Sequence, residues 1–206
     1  MLFLASNGLT SAPLLAAVQT AAAGKRTAAL VVTADPVYKE KNRHAARCLG
    51  ELIQLGLSAE IFDIDCRPPA GLLGFDVVEL MGGNPYYLLH SIREHQAEEV
   101  LRKLAEERLL IGWSAGALVL GPSLRLIDRY TPEMNLWGVR DLSALCLTGR
   151  EILPHYSRYL RRFAHFEETC RAYEQETGCR VLRLNDGDGI LAERGEERLI
   201  RGGLPA

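Results

Sequence analysis

Five short apolar runs recur through the first half of the chain: Leu2 to Ser6, Thr27 to Thr33, Ala59 to Ile64, Val77 to Met81 and Leu109 to Trp113. Helical stretches fill the gaps between them, at Ala12 to Ala23, Val37 to Leu55, Pro85 to Ala105 and Ala115 to Leu120. Buried strands alternating with helices in this way are the mark of a parallel sheet covered on both faces. After Gly121 the pattern loosens. Ser123 to Ile127 and Leu145 to Leu147 read as short strands, and Tyr156 to Thr177 reads as a helix. Val181 to Ile200 alternates around Asn185-Asp186-Gly187-Asp188-Gly189 and Arg194-Gly195, as hairpins do. The expected fold is α/β: a single-domain three-layer sandwich over residues 1–206, with a mostly parallel central sheet, helices on both faces and a C-terminal antiparallel hairpin.

Composition bounds the function classes. A chain of 206 residues, 48% hydrophobic and 24% charged with a formal net charge of -2, suits one globular domain with a substantial core. Near-neutral charge without a long Lys/Arg cluster argues against nucleic acid as a partner, and no apolar stretch approaches the ~20 residues of a membrane span. The apolar N-terminus, Met1 to Ser6, is short and lacks a basic leader, so it reads as a first strand and the cytoplasm is the default compartment. The five cysteines are scattered, with no CxxC pair, which suits reduced thiols. His165, Cys170 and Cys179 match no zinc spacing, so neither a metal nor an organic cofactor is expected.

The sequence Gly112-Trp113-Ser114-Ala115-Gly116 lies between the apolar run ending at Trp113 and the small-residue run Ala117-Leu118-Val119-Leu120. Strand, sharp turn, helix, with a serine at the tip, is the setting of a nucleophile elbow: the flanking glycines allow a strained turn and let the helix pack close. A serine nucleophile needs a base within hydrogen-bond reach and a carboxylate to orient that base. Of the five histidines, His44, His90, His95 and His165 fall in helical stretches, whereas His155 follows Ile152-Leu153-Pro154 at a strand-to-loop exit. Enzymes of this class present catalytic side chains at such exits. Between Ser114 and His155 the acidic candidates are Asp128, Glu133, Asp141 and Glu151. Glu133, in a loop after Pro132, is favoured over Asp128, which reads equally well as half of a local ion pair with Arg129. Met81-Gly82-Gly83-Asn84-Pro85 forms a second glycine turn between a strand and a helix. The Gly83 N–H, with that of Ala115, could make an oxyanion hole. The rival reading, a phosphate-binding turn, lacks both the GxGxxG spacing and the P-loop lysine.

Taken together, Gly82-Gly83-Asn84, Gly112-Trp113-Ser114-Ala115-Gly116-Ala117, Gly121-Pro122-Ser123 and Pro154-His155-Tyr156 resemble the peptidase E group of serine peptidases. That group includes aspartyl dipeptidase and cyanophycinase and is built on the class I glutamine-amidotransferase-like fold. The resemblance implies Ser114 as nucleophile, His155 as general base, and Gly83 and Ala115 as oxyanion-hole donors. In aspartyl dipeptidase the acid is an Asp in the loop between serine and histidine. Counted back from His155 the match falls on Glu133; counted forward from Ser114 it falls near Asp128. The Gly-Glu-Thr-Arg stretch that follows the histidine in aspartyl dipeptidases is absent, and the region reads Ser157-Arg158-Tyr159-Leu160-Arg161-Arg162. Acidic-peptide specificity therefore does not follow, although Arg158 or Arg162 could pair with a substrate carboxylate. Asn84 is a further candidate substrate contact. The expected activity is hydrolysis of peptide-like bonds in small peptides through an acyl-enzyme, with a homodimer left open as the assembly. The alternatives are a non-catalytic binding or regulatory member of the same fold, and an esterase.

Overall fold

The computed structural model describes residues 1–193 and 195–203. Arg194, placed by the sequence in a hairpin turn, lies outside the described residues, as do residues 204–206 of the expected domain. The strands of the main sheet are β1 (Leu2–Ala5), β2 (Thr27–Val31), β3 (Ser58–Phe62), β4 (Val77–Leu80), β5 (Leu109–Trp113), β8 (Gly189–Glu193) and β9 (Glu196–Ile200). Their order is β3-β2-β4-β5-β1-β8-β9. The five N-terminal strands are mutually parallel, and β8 and β9 add an antiparallel edge. This mixed α/β architecture, with its C-terminal antiparallel strands, matches the expected fold class.

Both faces of the sheet are covered because its inner strands are buried on both sides. Val78 and Leu80 of β4 pack with Tyr86, Leu88, Leu89 and Ile92 of α3 (Pro85–Glu94), Leu101 and Leu104 of α4 (Glu98–Glu107) and the whole of α5 (Ala115–Leu120). Val77 and Met81 turn to the opposite layer, with Leu14 and Val18 of α1 (Ala12–Ala21) and Cys48 and Leu52 of α2 (Arg43–Gln54). A third cluster joins Leu126, Leu153 and Val181 to Phe166, Cys170 and Tyr173.

Several elements differ from the sequence expectation, each for a local reason. The helix expected over Val37 to Leu55 is shortened to α2, because the Asn42 side chain caps its N-terminus and a 3-10 turn at Lys39–Lys41 precedes it. The helices expected over Pro85 to Ala105 and Tyr156 to Thr177 are each split in two. Gln96 takes a left-handed φ of 55° between α3 and α4. His165, also at φ 55°, separates α7 (Tyr156–Arg162) from α8 (Phe166–Thr177). The expected strand at Ser123 to Ile127 is instead a single antiparallel bridge, Ser123 to Ser143, followed by the short helix α6 (Arg125–Asp128). Leu145 to Leu147 form no strand, though their N–H groups bond to the carbonyls of Val119, Gly121 and Leu120. The C-terminal region is not all hairpin: β7 (Arg180–Arg183) pairs in parallel with β6 (Arg150–Leu153) in a separate two-stranded sheet.

One core residue breaks the apolar rule. Glu79, on the α2 side of β4, is fully buried, and neither carboxyl oxygen is hydrogen-bonded; its polar neighbours are the Cys48 thiol and the Trp113 indole. Burial pushes its pKa from 4.5 up to about 8, with the nearby Glu51 charge acting in the same direction. The native state therefore holds a proton that the unfolded chain has already lost, and stability falls as pH rises between these two values. Glu79→Gln should remove that decline. In urea unfolding at pH 5 and pH 8, the wild type is expected to lose roughly 2 to 4 kcal/mol relative to the variant. Parallel pH dependences would contradict the assignment.

Candidate active site

Ser114 stands at the C-terminal end of β5, the fourth strand of the seven, where the chain turns directly into α5. Its backbone is strained, with φ 49° and ψ -114°, a conformation that persists only where the surroundings enforce it. They do so here through close packing. A Cβ on Gly116 would lie 2.1 Å from the Leu80 carbonyl oxygen, so only glycine lets α5 press onto β4. The Ser114 N–H donates to the carbonyl of Ala5, on the neighbouring strand β1, at 3.1 Å.

The Gly82-Gly83 turn closes over the same place from β4. A Cβ on Gly82 would sit 3.0 Å from the Ser114 Cβ, and one on Gly83 would strike the Ala34 carbonyl oxygen at 2.3 Å. Both glycines are therefore required by close approach. The turn lies against the serine, and Ala115 opens α5 immediately after it.

His155 reaches the serine from 41 residues further along the chain. Strand β6 delivers it, and the residue itself takes a left-handed conformation, φ 55° and ψ 29°, as the cap of α7. Its Nε2 lies 3.0 Å from Ser114 Oγ, and its Nδ1 lies 2.6 Å from Asp186 Oδ1. Asp186 also accepts from the Ser6 hydroxyl at 3.1 Å on Oδ1 and from Arg158 at 2.5 Å on Oδ2. Burial alone would raise the Asp186 pKa. The hydrogen bond and charge of His155, with the Arg158 guanidinium and the Ser6 hydroxyl, outweigh it and hold the carboxyl below its usual range. Asp186 is thus an anion poised against the outer nitrogen of the imidazole.

The carboxylate expected there was Glu133 or Asp128, and neither occupies the position. Glu133 is exposed in the 3-10 turn Pro132–Met134 and makes no hydrogen bond or ion pair among the described residues. Asp128, in α6, accepts the hydroxyl of the buried Tyr86 at 2.8 Å. The reason is topological. Because β7 pairs in parallel with β6, the segment leaving β7 returns beside the segment leaving β6, with Leu184 N–H bonded to Leu153 O and Tyr156 N–H to Leu184 O. This places Asn185 and Asp186 next to His155, so the order along the chain is serine, histidine, acid. The Asn185-Asp186-Gly187-Asp188-Gly189 stretch was visible as a turn. Its aspartates are the available signal, but they lie beyond His155, outside the span that holds Glu133 and Asp128.

The candidate substrate contacts are otherwise engaged. Asn84 caps α3 by accepting from the Tyr86 and Tyr87 N–H groups and donates to the Met134 carbonyl. Arg158 is paired with Asp186, while the Arg162 guanidinium lies over the Phe163 ring, 4.9 Å from its centre.

A serine on a strand-to-helix turn, an imidazole within hydrogen-bond reach and a carboxylate on its far nitrogen form the constellation that serine hydrolases have reached on unrelated folds. Comparison with known proteins narrows this class. The family model of peptidase family S51 matches residues 2–200, and the chain belongs to that family, which makes it a serine-type peptidase. An uncharacterised peptidase of Listeria monocytogenes is 29% identical over 76% of this chain and 78% of its own length. Peptidase E of Citrobacter koseri is 28% identical over 85% of this chain and 77% of its own length. The fold agrees with that of a crystal structure of a Listeria monocytogenes protein described as a candidate peptidase E, with TM-score 0.78, 24% identity and 97% of each chain covered. A peptidase from an acI-B1 actinobacterium shares the fold at TM-score 0.63 and 14% identity, over 98% of this chain and 94% of that one. Among the described residues no helix is long and apolar enough to cross a membrane.

Proposed function

We propose that the protein hydrolyses peptide-like bonds in small peptides, using Ser114 as nucleophile, His155 as general base and Asp186 as the acid that orients it. The observation that carries this reading is the continuous hydrogen-bonded relay from Ser114 Oγ through both nitrogens of His155 to Asp186, with spacings of 3.0 and 2.6 Å. His155 Nε2 takes the hydroxyl proton as Ser114 attacks the carbonyl carbon, and the resulting imidazolium is stabilised by the adjacent anion. The Gly83 and Ala115 N–H groups supply the oxyanion hole: they belong to turns at the ends of adjacent strands, and the Gly82-Gly83 turn abuts the serine. Collapse of the tetrahedral intermediate expels the amine, which receives the proton from His155. Water, activated in turn by His155, hydrolyses the acyl-enzyme. Small peptides are the proposed substrates because the peptidase E relatives align over most of this chain.

Labelling with a fluorophosphonate probe, followed by a dipeptide panel set against simple esters, tests the reading. Stoichiometric modification of Ser114 with turnover of at least one dipeptide is expected. A protein that takes no label would contradict a catalytic serine, and turnover of esters alone would contradict the peptide substrate.

A further inference from the structure

The end of β1 holds all three members of the relay. Ala5 accepts the Ser114 N–H through its carbonyl, at 3.1 Å. The next residue, Ser6, is completely buried, and its own N–H is tied to the Asp188 carbonyl at 3.0 Å. Its hydroxyl has two partners. It accepts the His155 backbone N–H at 2.8 Å and lies 3.1 Å from Asp186 Oδ1, the same oxygen that faces His155 Nδ1.

Elementary donor and acceptor chemistry fixes the direction of these bonds. An amide N–H can only donate and an ionised carboxylate can only accept, so the hydroxyl must accept from His155 and place its single proton on Asp186. The result is a closed ring: the backbone of the base, the hydroxyl, the acid, and the ring of the base. Each bond serves a distinct need. The left-handed backbone of His155 is costly for a residue with a Cβ, and the bond to Ser6 is one of the contacts that hold it there. The proton given to Oδ1 stabilises the anion and makes Asp186 a weaker base, which keeps the shared proton on the imidazole.

We propose that Ser6 is a positioning residue of this site, its hydroxyl locking the backbone of His155 and the carboxylate of Asp186 in register with Ser114. This rests on the catalytic reading of Ser114, His155 and Asp186 given above. Ser6 touches no reacting atom and acts through the base and the acid.

The test compares wild type, Ser6→Ala and Ser6→Thr for kcat and KM on a dipeptide that the wild type cleaves, for the rate of fluorophosphonate labelling, and for thermal midpoint. Ser6→Ala is expected to lower kcat and the labelling rate together by roughly 10- to 100-fold while KM stays within about two-fold, since displaced catalytic groups cost rate more than binding. The acid limb of its pH profile should move to higher pH, because Asp186 loses a donor. Ser6→Thr, which keeps the hydroxyl, should recover most of the rate and return the limb towards its original place. If Ser6→Ala keeps wild-type kcat and pH profile, the proposal is overturned while the catalytic reading stands. If Ser6→Thr is folded, with a thermal midpoint near that of the wild type, yet remains as slow as Ser6→Ala, the hydroxyl is not the operative feature and the proposal is likewise overturned. A wild type that takes no label would instead overturn the catalytic reading itself.

Discussion

Ser114→Ala is expected to lower kcat by about 10⁶-fold and to eliminate fluorophosphonate labelling, the size of effect seen when a serine protease loses its nucleophile. The hydroxyl has one side-chain partner among the described residues, His155 Nε2, so its removal leaves the elbow intact. Alanine keeps a Cβ and therefore keeps the strain of φ 49°. Ser114→Gly, equally inactive, should be the more stable of the two by roughly 1 kcal/mol, because glycine meets no steric penalty in that conformation. Measured kcat and urea midpoints for the three proteins decide both points. Residual turnover within ten-fold of the wild type in Ser114→Ala would remove the serine from the mechanism.

Asp186→Asn is the second large effect, expected near ~10⁴-fold in kcat with KM little changed, as when the acid of a serine protease triad becomes an amide. The amide is neutral, and only its carbonyl oxygen can accept, its NH₂ being a donor. With Arg158 and Ser6 both donating to the carboxylate, an amide cannot satisfy those donors and His155 Nδ1–H together. The imidazole is then free to adopt the wrong tautomer, and its protonated form loses the adjacent anion. Glu133→Gln should stay within about three-fold of wild type, since Glu133 is exposed and unpaired among the described residues. Asp128→Asn should behave similarly, because an amide oxygen still accepts the Tyr86 hydroxyl. Equal losses in Glu133→Gln and Asp186→Asn would refute the placement of the acid.

Much of the framework was legible because it is written locally. The apolar runs that became β1, β2, β4 and β5 are short, bounded by polar or glycine residues, and buried on both faces, so composition alone marks them, whereas the edge strand β3 is buried only at Phe62. The glycines around Ser114 likewise encode a close approach that no other residue permits, and a strand before and a small-residue helix after complete the turn. His155 at the exit of an apolar segment followed from the same kind of reasoning. The breaks at Gln96 and His165 were not legible, because neither is glycine, and a left-handed residue with a Cβ leaves no compositional trace.

The carboxylate was decided by tertiary structure alone. The stretch between Ser114 and His155 contains Glu133 and Asp128, but sequence order does not encode which carboxylate meets the imidazole. What brings Asp186 to the imidazole is the parallel pairing of β6 with β7 across the α7 and α8 crossover, a register set by contacts among residues some thirty positions apart. Ser6 comes from farther still, 149 residues from His155. Hydrophobic pattern and glycine spacing act over a few residues and fix strands, helices and the strained turn. A hydrogen-bonded relay depends on where the ends of separate strands meet, and that position exists only once the sheet order has closed.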